Sequence, residues 1–286
     1  MKTTILQTDI AWAAPQENIK RVERLMTEAA PDSTEGTLFV LPEMWATGFC
    51  VEPQGIAEDE ERSAALAWMK HTARSRGCAI SGSLAVRTGE GKYRNRHYLV
   101  TPDAVVYYDK HHLFRHGGED TSFTAGTEAV VAEWKGLRLL LQTCYDLRFP
   151  VFSRYGRNVS SPFTPSLSPL TSHFSPLTSY LSPLIYDAII YVANWPAKRQ
   201  LAWDTLIRAR AIENQCYVLA VNRVGSDSAC EYCGGSAIID PLGRTVDTCE
   251  NKVFFVTADI DINDITKARN RFRVLDDRDL IKQRLS

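Results

Sequence analysis

The chain is built from apolar blocks whose period changes along its length. TTILQTD, residues 3–9, is a short apolar run that reads as a strand. Behind Pro15, Ile19, Val22, Met26 and Ala29 recur at helical spacing, and proline suits a first helical turn. TLFVLPE, residues 37–43, is nearly continuously apolar, the pattern of a strand buried on both faces. Residues 59–76 predict a second helix, with Gly77 placed to accept the left-handed backbone of a C-cap. CAISGSLAV, RNRHYLVT and AVVYYD follow as strands, and EAVVAEW and LRLLLQTC flank a Lys-Gly turn. YDAIIYVAN predicts another buried strand and WDTLIRARAIENQ a helix. CYVLAVNRV, SAIIDPLGRTVDT and NKVFFVTADI are further strands, and a charged tail from 261 to 286 holds one short helical stretch.

Alternation of strand and helix argues for an α/β fold, and the repeated hairpins make its sheets mixed. No internal boundary is evident, so residues 1–286 are read as a single domain. Two sheets stacked face to face with helices outside would suit this many strands. One segment breaks the pattern. At 161–184 the sequence reads SPFTPSL, SPLTSHF, SPLTSYL, SPL, with Ser-Pro at 161, 168, 175 and 182. Proline in every repeat excludes a heptad coiled coil. The segment carries no charged residue and is either a lid or docking loop or a slipped repeat. We take it as a passive insertion spanning about 157–184, because loop entropy grows slowly with length.

Composition narrows the class. Hydrophobic residues make up 44% and charged residues 23%, with a formal charge of −1, so no global field draws the chain to nucleic acid or an anionic membrane. No run approaches the roughly 18 apolar residues of a membrane span, and MKTTILQTDIAW has no secretory apolar core. The expected compartment is the cytoplasm. The cysteine count is seven, an odd number that favours free thiols. Cys78 and Cys216 open apolar runs and are expected in the core. Cys230 and Cys233 form a C-x-x-C without further ligands nearby, so no metal is expected there.

Three strands end in reactive residues. Cys144 closes LRLLLQTC, where N–H groups of a following turn can face a nucleophile. Glu43 closes TLFVLPE, and a carboxylate leaving an apolar strand must be solvated, paired or functional. Lys110 closes AVVYYDK, followed by His111 and His112. Groups at like ends of strands converge in α/β sheets. Taken singly, each also fits a core thiol or a surface ion pair, and the histidines fit packing roles.

LPEMWATGF, YDKHHLF and QTCYDLRFP together resemble the nitrilase superfamily of carbon–nitrogen hydrolases, in the order Glu, Lys, Cys at separations of 67 and 34 residues. YVANWP and RARAIENQ are similar to later stretches of the family, and the match looks closest to its omega-amidase branch. The resemblance implies an α-β-β-α sandwich with two mixed sheets, commonly paired as a homodimer, and no cofactor or metal. It implies Glu43 as general base, Cys144 as nucleophile, Lys110 with the backbone N–H of Tyr145 as oxyanion donors, and Glu119 as a second glutamate that holds Lys110 or orients substrate. The implied partners are water and a small 2-oxo acid amide such as 2-oxoglutaramate or 2-oxosuccinamate. Alternatives are another amide or nitrile, or an inactive binding relative. Trp195 is a candidate for the acyl pocket and Arg148 for a substrate carboxylate; the first also fits a core aromatic and the second a pair with Asp146. Arg208, Arg210 and Glu213 read as structural helix-face pairs.

Overall fold

A computed structural model describes residues 1–159 and 182–277. The Ser-Pro repeat therefore falls almost wholly outside the described residues, as does the end of the charged tail. Two mixed sheets form the centre. The first runs in the order Phe254–Asp259, Lys2–Gln7, Leu38–Val40, Ala79–Arg87, Tyr93–Val100, Val105–Asp109, with Glu58–Asp59 beside Ala79–Arg87. The second runs Thr245–Thr248, Ala237–Ile239, Tyr217–Asn222, Ala188–Ala193, Leu137–Thr143, Val131–Trp134. In each sheet the central strands are parallel. Antiparallel strands flank them.

Strand periodicity divides the apolar residues between two layers. Ile5, Val40 and Leu99 share one buried cluster with Leu139, Leu141 and Ile190 of the second sheet. Their neighbours Leu6, Phe39 and Val100 join Val22 and Met26 of the Pro15–Ala29 helix and Leu66 and Met69 of the Ala64–Arg76 helix. The Gln200–Asn214 helix adds Trp203, Ile207 and Ala211 against the second sheet. The result is the expected α-β-β-α sandwich. Burial of each large aliphatic side chain contributes about 1.5–3 kcal/mol, so both sheets are held by their inner and outer faces.

The second helix starts later than its sequence predicts, at Ala64 rather than 59. The Leu66 N–H donates to Ser63 Oγ at 3.0 Å and the Ala64 N–H to Glu58 at 2.8 Å. These acceptors satisfy amides of the first turn and place the N-cap at Ser63. Residues Glu60–Arg62 instead form a separate 3-10 turn.

Strand direction prepares the site. Val105–Asp109 runs the same way as Leu38–Val40, since two antiparallel pairings separate it from the parallel strand Ala79–Arg87. Glu43 and Lys110 thus follow like-directed strands of the first sheet. Cys144 and Asn194 follow Leu137–Thr143 and Ala188–Ala193, neighbouring parallel strands of the second.

Candidate active site

Glu43, Lys110 and Glu119 are buried together. Lys110 Nζ donates to Glu43 Oε1 at 2.9 Å and to Glu119 Oε2 at 2.8 Å. The Asn95 amide spans the two carboxylates, donating to Glu43 Oε1 at 2.8 Å and Glu119 Oε1 at 2.9 Å. Glu43 Oε2 accepts the Asn194 backbone N–H at 2.8 Å, and Asn194 Nδ2 donates to the Glu43 carbonyl at 2.6 Å. The Phe114 N–H closes the shell on Glu119 Oε2 at 2.7 Å. Two carboxylates around one ammonium tolerate burial only because nearly every lone pair has a donor.

Cys144 lies beside this cluster, with Sγ 3.9 Å from the Asn194 carbonyl. Its φ is 46°, in the left-handed region that a non-glycine residue enters at a cost of roughly 1–3 kcal/mol. The structure has a 3-10 turn, Cys144–Arg148, and a short Pro150–Ser153 helix. Asp146 holds the turn. Its Oδ2 accepts the Thr143 N–H at 3.0 Å and the Tyr108 hydroxyl at 2.7 Å. Its Oδ1 accepts the His112 N–H at 2.9 Å and contacts His112 Nδ1 at 2.8 Å. Asp146 therefore joins the turn that begins at Cys144 to the segment carrying Lys110. Gly126 passes against that segment, donating its N–H to the Lys110 carbonyl at 3.0 Å. A Cβ at Gly126 would sit 2.2 Å from the Asp109 carbonyl oxygen, so only glycine fits.

Electrostatics set the resting protonation. Burial raises the Cys144 thiol well above its ordinary value, Glu43 raises it further, and Lys110 opposes them only in part. Burial works against the Lys110 charge, but Glu119 and Glu43 overcome it and hold the ammonium above the usual lysine range. Burial also raises the Glu119 carboxyl, with Lys110 lowering it and Glu43 raising it. The thiol is thus a neutral proton donor beside a carboxylate, rather than a preformed thiolate.

Cys144 opens into a cavity of about 450 Å³, walled by Phe49, Phe114, Tyr145 and Trp195, with Arg148 and Arg199 among its polar groups. Trp195 is buried, and its indole N–H donates to the Arg199 carbonyl at 2.8 Å. Arg148 does not pair with Asp146; its guanidinium lies 4.9 Å over the Trp195 ring. The histidines take packing roles. His111 stacks on Phe152 at 4.3 Å and His112 on Phe149 at 3.7 Å. Cys230 lines the cavity, whereas Cys233 points its sulfur at Gln200 Oε1, 3.0 Å away. Arg210 bridges Glu213 at 3.0 Å and donates to the Leu147 carbonyl at 2.6 Å, so this helix pair also braces the Cys144–Arg148 turn.

The carbon-nitrogen hydrolase family model matches residues 2–160 and 173–270. The chain belongs to the carbon–nitrogen hydrolase family. It is 36% identical over 282 residues to an omega-amidase of Yersinia enterocolitica, covering 98% of this chain and 97% of that one. It is 33% identical over 282 residues to a 2-oxoglutaramate amidase of Bacillus subtilis, covering 97% of this chain and 98% of the relative. A CN-hydrolase superfamily protein from Xanthomonas campestris, solved with an arsenic adduct in its active site, superposes with a TM-score of 0.85 at 38% identity, covering 99% and 98% of the two chains. This carbon–nitrogen hydrolase is therefore an amidohydrolase of the nitrilase superfamily. Among its described residues no helix is long and apolar enough to cross a membrane.

Sequence reasoning about this hydrolase missed Asn95, Asn194, Asp146 and Arg199. Asn194 immediately precedes Trp195 and ends a buried strand, a signal that would have found it. Asn95 sits within a strand between two arginines, and nothing local distinguishes it.

Proposed function

We propose that this hydrolase releases ammonia from the terminal amide of a small 2-oxo acid amide, such as 2-oxoglutaramate or 2-oxosuccinamate, through a thioester on Cys144. The observation that carries this reading is the buried Glu43–Lys110–Glu119 cluster, held by Asn95 and Asn194, beside a thiol at the floor of an aromatic cavity. Glu43 takes the Sγ proton as sulfur attacks the amide carbon. Negative charge moves from Glu43 to the substrate oxygen, where the Lys110 ammonium and the Tyr145 backbone N–H receive it. One such donor is worth about 2.7–4 kcal/mol. Glu43 then returns its proton to nitrogen and ammonia leaves. A water that gives its proton to Glu43 attacks the thioester and releases the acid, restoring the thiol. Glu119 stays hydrogen-bonded to Lys110 throughout and fixes the ammonium in place. Trp195 walls the acyl chain, and Arg148 faces the substrate carboxylate. Similarity to the omega-amidase and 2-oxoglutaramate amidase supports this substrate class. A cytoplasmic homodimer completes the proposal; the motif resemblance supports the pairing, and the apolar pattern of the sequence supports the compartment.

The test is ammonia release from short-chain 2-oxo acid amides, simple amides and nitriles, with Cys144→Ala as control. The variant should keep its circular dichroism spectrum and lose all turnover. Residual ammonia release at a substantial fraction of the wild-type rate would refute the nucleophile assignment. Turnover confined to nitriles would refute the substrate class.

A further inference from the structure

Arg148 and Arg199 are cations of the cavity wall that amide hydrolysis itself does not use. They come from equivalent places. Arg148 ends the turn after Leu137–Thr143, and Arg199 ends the Ala197–Arg199 turn after the neighbouring parallel strand Ala188–Ala193. Each guanidinium lies over an aromatic ring, Arg148 4.9 Å from the Trp195 centroid and Arg199 5.3 Å from that of Phe114. A cation–π contact places the charge over the ring and consumes none of the guanidinium N–H donors. Among the described residues, neither side chain has an ion-pair or hydrogen-bond partner. The acids nearby do not fill this role. Asp227 is taken by the Tyr232 hydroxyl at 2.7 Å and the N–H groups of Ala229 and Cys230. Glu52 is exposed at the cavity wall. Phe114, the platform under Arg199, packs edge-on against Tyr145, the residue after the nucleophile, at 5.2 Å.

We infer that Arg199 acts with Arg148 as an anion clamp and selects amides that carry a carboxylate over uncharged amides of the same length. The inference rests on the substrate reading above and names the group that reads its charged end. A guanidinium already resting against an aromatic ring loses less freedom than a solvated one when its fork meets a carboxylate. The catalytic cluster, with two carboxylates and one ammonium, would repel an anionic substrate. Cations in the cavity wall offset that repulsion and orient the chain with its amide toward Cys144.

The experiment compares wild type, Arg199→Gln and Arg199→Lys on 2-oxoglutaramate and on pentanamide, an uncharged amide of equal length. It also titrates 2-oxoglutarate into the Cys144→Ala enzyme with and without Arg199→Gln. The ratio of kcat/KM for the anionic over the uncharged amide should fall roughly 100-fold in Arg199→Gln, chiefly through KM. Arg199→Lys should restore part of it. The 2-oxoglutarate affinity should weaken by a similar factor. An equal loss on both amides, or an unchanged ratio and affinity, would overturn the assignment. If wild type releases ammonia from neither amide, the substrate reading fails, and the titration alone decides whether Arg199 binds an anion.

Discussion

Replacing Asp146 by Asn asks whether the Cys144–Arg148 turn depends on one carboxylate. Asp146 is fully buried and accepts from Thr143, Tyr108 and the His112 backbone, with the His112 ring as its fourth neighbour. Asparagine preserves the shape but turns one oxygen into an N–H donor. If the amide nitrogen replaces Oδ2, both the Thr143 N–H and the Tyr108 hydroxyl lose their acceptor. If it replaces Oδ1, the His112 ring can present an acceptor by exchanging tautomers, and only the His112 N–H is orphaned. The second arrangement is the less costly. One buried donor left unsatisfied costs about 1–3 kcal/mol, and losing the carboxylate charge places the expected cost in the upper half of that range. For a chain of this size that is a fall in Tm of roughly 3–5 °C. Cys144 is held at a φ of 46°, so loosening the turn should also lower kcat more than it raises KM. Thermal unfolding followed by circular dichroism and steady-state ammonia release measure both effects. A variant as stable as wild type, with unchanged kcat, would refute the claim that Asp146 holds the elbow.

Other perturbations probe the buried charges. Lys110→Met leaves Glu43 and Glu119 without their shared cation, which should destabilise the fold by about 3–5 kcal/mol and lower kcat/KM at least 100-fold. The stability deficit against wild type should narrow as pH falls from 7 toward 4, because an unpaired buried carboxylate can then take up a proton; urea titrations across that range would show it. His97, between the sheets, contacts Ser81 Oγ at 2.8 Å and the Gln142 carbonyl at 3.2 Å. Burial lowers its pKa to about 3 from 6.5. Between those values the unfolded chain binds the extra proton, so the stability this histidine contributes is complete above pH 6.5 and drains away toward pH 3. The loss is on the order of 5 kcal/mol, and His97→Gln should flatten stability over the same window in urea titrations.

Much of this architecture is legible in the amino-acid order. Buried parallel strands such as Leu38–Val40 and Ala188–Ala193 read as continuous apolar runs because both their faces are covered. Glu43, Lys110 and Cys144 stand out because charged or reactive groups at the ends of such runs need a reason to be there. The start of the second helix was less legible, since acidic residues upstream of Ser63 suit a helical first turn as well as they suit the 3-10 turn they form.

The sequence by itself determined the strands, the reactive residues that end them, and the chemistry those residues can perform. Tertiary structure decided which neutral groups support them. Asn194 meets Glu43 across 151 residues, and Asn95 reaches both glutamates from the interior of a strand. An amide carries no charge and no period, so its role exists only where two sheets bring buried carboxylates within hydrogen-bond reach. The same holds for Arg199: its place in a turn is local, but its contact with the Phe114 ring and its place in the cavity wall come only from the packing of distant segments.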